Sequence, residues 1–227
     1  MSWVSKTLNS TLGKKLLMAL TGLFLILFLV VHLGGNLQLL LPDGGQSFNV
    51  YSYNMATNPL IRVVSIGNFA FILLHVVYSI ILTRYNKNSR PVAYAVSKPQ
   101  LNSTWSSRNM GILGTLILIF LLVHLKGFWY EFKFGELPTT VYDGVTYKNV
   151  FAIVSEAYSN IFYVAFYVVS MGFLGFHLSH GFASAFQTLG LNHVKYSPLI
   201  NKVGIGFSII VPALFALIPL IMYFKTL

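Results

Sequence analysis

Six histidines are the residues of this 227-residue chain best suited to chemistry, and five of them stand in or beside long apolar runs: His32, His75, His124, His177 and His180. An imidazole in such a setting can ligate a metal, relay a proton or bond a neighbouring carbonyl, and ionisable groups inside apolar spans are costly and usually functional. The chain has no cysteine, which removes disulfides, iron–sulfur ligation, thiolate zinc and cysteine nucleophiles together. Any metal or cofactor must be held by histidine, by the five carboxylates, or by backbone.

The elements that position these histidines are membrane spans. Hydrophobic residues make up 56% of the chain and charged residues only 9%, against roughly 25% charged in a soluble domain. A net charge of +10 on a polar surface would suit nucleic acid, but this composition leaves no such surface. Crossing a hydrocarbon core takes about 20 apolar residues of helix. Five runs qualify, at about 16–41, 60–82, 110–125, 161–186 and 203–224, giving an all-α membrane bundle expected as one domain over residues 1–227. Pro212 and Pro219 in the fifth are tolerable where neighbouring helices satisfy the freed carbonyls. Lys14 and Lys15 before the first run resemble a signal peptide, but the run is too long and lacks a small-residue cleavage site, so an uncleaved helix is expected.

Charge sets the expected orientation. On alternating sides, one face receives Lys6, Lys14, Lys15, Arg84, Lys87, Arg90, Lys98, Arg108, Lys195 and Lys202; the other receives five cations together with all five acids. The first face is therefore expected to be cytoplasmic, with the N-terminus inside and the C-terminus outside. The segment Gly127 to Asn160 then lies outside, its aromatic run Phe128, Trp129, Tyr130, Phe132 and Phe134 suited to the headgroup level. Asp143-Gly144 between two β-prone stretches is a hairpin signal, with an irregular loop as the alternative.

Depth then separates the histidines. At about 1.5 Å per residue, His32 and His124 lie roughly 5 and 7 Å beyond the midpoints of outward-running helices, and His75 and His177 roughly 3 and 8 Å beyond those of inward-running ones. Two share an outer level and two an inner level. A proton path would string histidines along one line; two pairs from four helices point to two bis-ligated centres. Zinc wants four protein ligands, or three and water, and neither level offers a carboxylate or thiolate to complete a set. Haem brings four equatorial nitrogens and needs only two axial histidines, so two b-type haems are the economical occupants. Gly34, Gly35, Gly127, Gly172, Gly175 and Gly181 near the candidate ligands would let a flat macrocycle approach, or simply let helices pack closely. His180, at i+3 from His177, faces nearly the same way and is a candidate for a propionate or quinone contact. Arg84 and Arg108, at inner helix ends, could neutralise propionates or anchor at headgroups; His193 is expected in a surface loop.

Four local sequences carry a family resemblance: Thr21 to His32 (TGLFLILFLVVH), Leu73 to Tyr78 (LLHVVY), Leu121 to His124 (LLVH) and Gly175 to Gly181 (GFHLSHG). In this order, one per helix, they resemble the five-helix di-haem cytochrome b subunit of succinate:menaquinone and quinol:fumarate oxidoreductases. The resemblance covers essentially the whole chain. It implies His32 and His124 as ligands of the distal haem iron and His75 and His177 as ligands of the proximal one. It further implies a membrane anchor in a bacterial inner membrane, holding a flavoprotein subunit and an iron–sulfur subunit on the cytoplasmic face and passing electrons to menaquinone. The chain itself would be a non-catalytic electron-transfer subunit. The family's quinone-site acids are not evident: no Asp or Glu falls within an expected span, and Asp43, Glu131 and Glu156 lie near outer ends. Alternatives are the di-haem subunit of a nitrate reductase or hydrogenase, an ascorbate-reducing cytochrome, or a haem-free histidine-using metal or proton transporter.

Overall fold

The computed structural model describes residues 2–89, 92 and 98–226. Arg90, assigned above to the basic face, lies outside the described residues. The helices are α1 (Trp3–Asn9), α2 (Thr11–Leu37), α3 (Gln46–Thr57), α4 (Pro59–Asn88), α5 (Trp105–Arg108), α6 (Met110–His124), α7 (Glu131–Phe134), α8 (Val150–Tyr158), α9 (Ile161–Thr188) and α10 (Ser197–Phe224). Two strands, β1 (Thr139–Tyr142) and β2 (Val145–Lys148), pair antiparallel.

Five helical stretches are long and apolar enough to cross a membrane: Thr11–Leu40, Pro59–Asn88, Met110–Phe134, Ile161–Thr188 and Ser197–Phe224. The chain is a multi-pass membrane protein. Much of the helix surface is apolar and exposed, with Leu27, Leu73, Ile112, Phe162 and Ile209 each more than 60% accessible. A lipid-facing side chain needs no burial inside protein, so helices can stay apolar all round.

Several spans extend beyond the apolar runs. Helix α2 begins at Thr11 and so includes Lys14 and Lys15; α4 continues to Asn88 past Arg84 and Lys87; α10 begins at Ser197 ahead of Lys202. Backbone hydrogen bonding continues the helix past the apolar border, and long basic side chains at helix ends can carry their charge toward the headgroups. The third span departs most. Instead of ending near 125, it passes from α6 through a π-helical segment, Leu125–Tyr130, into α7. Glu131 therefore falls within the extended span, where it is paired with Lys126.

The chain divides into two compact units, and each long helix contributes a segment to both. The first unit comprises residues 1–28, 67–115 and 176–209. Its contacts include Phe24 on Phe71 between α2 and α4, Trp105 on Phe176 between α5 and α9, and Phe182 on Phe207 between α9 and α10. Gly204 is required here, because a Cβ would stand 2.8 Å from the Phe182 ring.

The second unit comprises residues 29–66, 116–175 and 210–227. Asp143 (φ 49°) and Gly144 (φ 77°) turn β1 into β2, the positive-φ pair that a tight two-residue hairpin needs. The hairpin is tied to α3 and α8 by Asn49, 1% exposed, whose amide donates to Tyr142 Oη (3.0 Å) and Asn149 Oδ1 (3.1 Å) and accepts from the Phe151 N–H (2.9 Å). Asn149 in turn caps α8 by accepting from the Ala152 N–H. A buried side-chain amide that uses both its N–H donors and its carbonyl oxygen ties the hairpin to the two helices.

Candidate functional site: two histidine pairs

In the first unit, α4 presents His75 and α9 presents His177, with ring centres 6.3 Å apart and planes at 65°. Helix α2 backs His75. The Oγ1 of Thr21 lies 3.2 Å from its Nδ1, and a Cβ on Gly22 would stand 3.4 Å from its Cε1. Gly114 of α6 lies beside His177, where a Cβ would make an ordinary contact 3.9 Å from Cε1. The Nδ1 of His177 is buried and has no hydrogen-bond partner among the described residues. Asn68, two turns before His75 on α4, is buried as well, and its Oδ1 likewise lacks a partner among them.

His180 is half-buried one turn beyond His177. Arg84 is exposed in the last turns of α4. Arg108 is also exposed, and its guanidinium donates to the carbonyl of Ser103 and, at 3.5 Å, to that of Pro99, which closes the loop before α5. His193 is exposed in the α9–α10 connection, accepting at Nδ1 from the Lys195 N–H.

In the second unit, α2 presents His32 and α6 presents His124, with ring centres 5.7 Å apart and planes at 88°. Aromatic rings enclose them: Phe215 of α10 is 5.6 Å from His32, while Phe120 and Phe128 are 5.6 and 5.4 Å from His124. Asn36, one turn after His32, donates to the His32 carbonyl at 2.8 Å and holds its Nδ2 3.4 Å from both ring nitrogens. The Tyr167 hydroxyl lies 3.3 Å from His124 Nδ1 and 3.1 Å from the Tyr163 hydroxyl, so three polar groups form one chain. Tyr158 packs on Tyr167 at 5.4 Å. Gly127 is needed beside them, since a Cβ would stand 2.7 Å from the Tyr163 hydroxyl. The π-helical turn begins directly after His124. A π-bulge re-aims side chains within a helix and is common at functional sites.

No third ligand joins either pair: among the described residues no group of three or more His, Asp or Glu side chains could hold a metal ion. A metal–imidazole bond is about 2 Å long, so two imidazoles on opposite sides of one ion place their ring centres roughly 6 Å apart. Both pairs have that spacing. The donor set thus suits a metal that arrives with its own equatorial nitrogens and asks the protein for two imidazoles.

Thr21, Asn36, Tyr163 and Tyr167 are not evident as functional residues from the sequence. Thr21 is the one hydroxyl side chain in its apolar run, a weak signal. Tyr167 is one of 13 tyrosines, and nothing in its neighbourhood distinguishes it. No family model, curated protein or solved structure matches the chain.

Proposed function

We propose that this chain is a di-haem b membrane subunit that carries electrons between a cytoplasmic iron–sulfur protein and a membrane quinone, as the anchor of a succinate dehydrogenase or fumarate reductase complex. The observation that carries the reading is the pairing of four histidines, one from each of α2, α4, α6 and α9, into two couples of matching spacing, with no further metal ligand among the described residues. The sequence resemblance supplies the partners and the quinone.

His32 and His124 would hold one haem, and His75 and His177 the other. Bound haem supplies a one-electron iron couple. The protein would hold two imidazoles at each centre and bond the Nδ1 atoms of His75 and His124, levers by which a protein tunes a haem. Phe120, Phe128 and Phe215 keep the second unit's pair in an apolar setting. Thr21 and Tyr167 bond the Nδ1 atoms of His75 and His124. No dinucleotide fingerprint or nucleophile motif is present, so succinate chemistry belongs to the partner subunits. The excess of Lys and Arg orients the basic connections toward the cytoplasm in this reading, where anionic lipid and the soluble subunits meet them.

A dithionite-reduced minus oxidised spectrum of the purified chain, with a pyridine haemochrome assay, tests the proposal. The expected result is a b-type α-band and two haems per chain. A colourless protein, or a stoichiometry clearly other than two, overturns it.

A further inference from the structure

Thr21 sits at the back of His75, 4% exposed, on a helix whose other residues at that level are apolar. Its Oγ1 lies 2.8 Å from the Leu17 carbonyl and 3.1 Å from the Met18 carbonyl. A hydroxyl has one proton and two lone pairs, and a carbonyl can only accept. With the Thr21 proton on its own helix, Oγ1 presents a lone pair to His75, 3.2 Å away. In that arrangement Nδ1 of His75 carries the ring proton, and the Met18 backbone also hydrogen-bonds the His75 ring. A neutral imidazole protonated at Nδ1 has its free electron pair at Nε2. Thr21, together with the Met18 carbonyl, thus favours the tautomer whose Nε2 is ready to ligate a metal. Gly22, next in the chain, lets the ring come against α2, since any side chain there would begin 3.4 Å from Cε1. The facing ligand is different, because His177 Nδ1 has no partner among the described residues.

Resting on the di-haem reading, we propose that Thr21 is the positioning residue of the His75–His177 centre. Its oxygen accepts the His75 Nδ1–H, fixes that ring's tautomer and orientation, and makes Nε2 a stronger electron-pair donor, which favours ferric over ferrous iron at this centre alone. The chemistry is general: a ligating histidine that donates its outer N–H is more basic at the ligating nitrogen. The one-sided bonding of the pair places that bias on the His75 side, where Thr21 supplies the side-chain acceptor beside the Met18 carbonyl.

The test is a redox titration of the purified full-length chain, following the α-band with dithionite as the electron source for each one-electron ferric-to-ferrous couple. His75→Ala identifies which spectral component belongs to this centre. Thr21→Val keeps the shape and removes the oxygen. At the wild-type midpoint potential of that component, its ferrous-to-ferric ratio is expected to rise about 2- to 10-fold in Thr21→Val, the net effect of one neutral hydrogen bond, while the other component stays put. Thr21→Ser, which restores the acceptor, is expected to return the ratio to near wild type. The low-spin ferric electron paramagnetic resonance signal of the same component should move in Val and recover in Ser. If Thr21→Val does not assemble with haem, Thr21→Ala is read in its place by the same criteria. An unchanged ratio, an equal shift of both components, or a Ser variant that behaves like Val overturns the role of Thr21 while leaving the haem count intact. A wild-type chain without haem overturns the di-haem reading itself.

Discussion

The imidazoles of His32 and His124 stand 5.7 Å apart, centre to centre, with their planes at 88°. The two residues are 92 positions apart in the chain and come from different helices, α2 and α6, each otherwise apolar at that level. Edge-to-face packing of two rings gives a similar spacing. What distinguishes this contact is its repetition by His75 and His177 on two other helices.

On the proposed di-haem reading, histidine substitutions follow that division. His32→Ala or His124→Ala is expected to lower the haem content from two to one per chain by removing one spectral component. His75→Ala or His177→Ala should remove the other. His180→Ala should leave both in place. A haemochrome count on each variant checks this, and loss of a haem in His180→Ala with retention in His177→Ala would reassign the ligand.

Tyr167 holds two partners at once while 4% exposed. Tyr167→Phe leaves the ring packing in place but deprives both His124 Nδ1 and the Tyr163 hydroxyl of a bond. A cost of about 1–3 kcal/mol is expected, the penalty for a buried polar group left unmatched. Tyr163→Phe breaks only the outer link and should cost less. Thermal unfolding in one detergent, comparing the two variants, gives the order.

Asn49→Ala should loosen the region built from α3, the hairpin and α8, because one amide supplies three hydrogen bonds there. At about 0.5–1.5 kcal/mol for each bond, a loss of roughly 2–4 kcal/mol is expected. Amide exchange across residues 139–158 should quicken while residues 67–88 keep their protection.

The turn into α3 carries a pH dependence. The Asp43 carboxylate takes a hydrogen bond from the Ser47 side chain and further bonds from the N–H groups of Ser47 and Gly45, and these hold its pKa below the usual 3.8. A carboxylate whose folded pKa is depressed supports the fold above its unfolded pKa and loses that support as pH falls through the folded one. Exchange protection of the first turn of α3 should therefore be flat above about pH 4–5 and fall below it. In Asp43→Asn that acid-dependent fall should be absent.

Much of this was readable without coordinates. Lipid cannot satisfy a bare backbone, so an apolar run of sufficient length has to be a helix, and the five spans follow from length and composition. The positive-φ turn at Asp143-Gly144 is likewise local chemistry. The helix ends were less legible: the passage of the third span through Leu125–Tyr130 to Phe134 depends on backbone bonding that an aromatic-rich segment does not announce.

Position along a helix is a matter of counting residues, which is why the sequence alone placed each histidine on its helix and along it. Rotation about the helix axis is another matter. In a soluble helix the apolar stripe reveals the buried face, but lipid is as apolar as a protein core, and these helices carry no such stripe to read. Only the tertiary structure decided that His75 meets His177 across from Thr21, that His124 shares a hydrogen-bonded chain with Tyr167 and Tyr163, and that Asn49 holds the hairpin to two helices. Each depends on a contact between residues far apart in the chain, fixed by which faces of uniformly apolar helices turn toward one another.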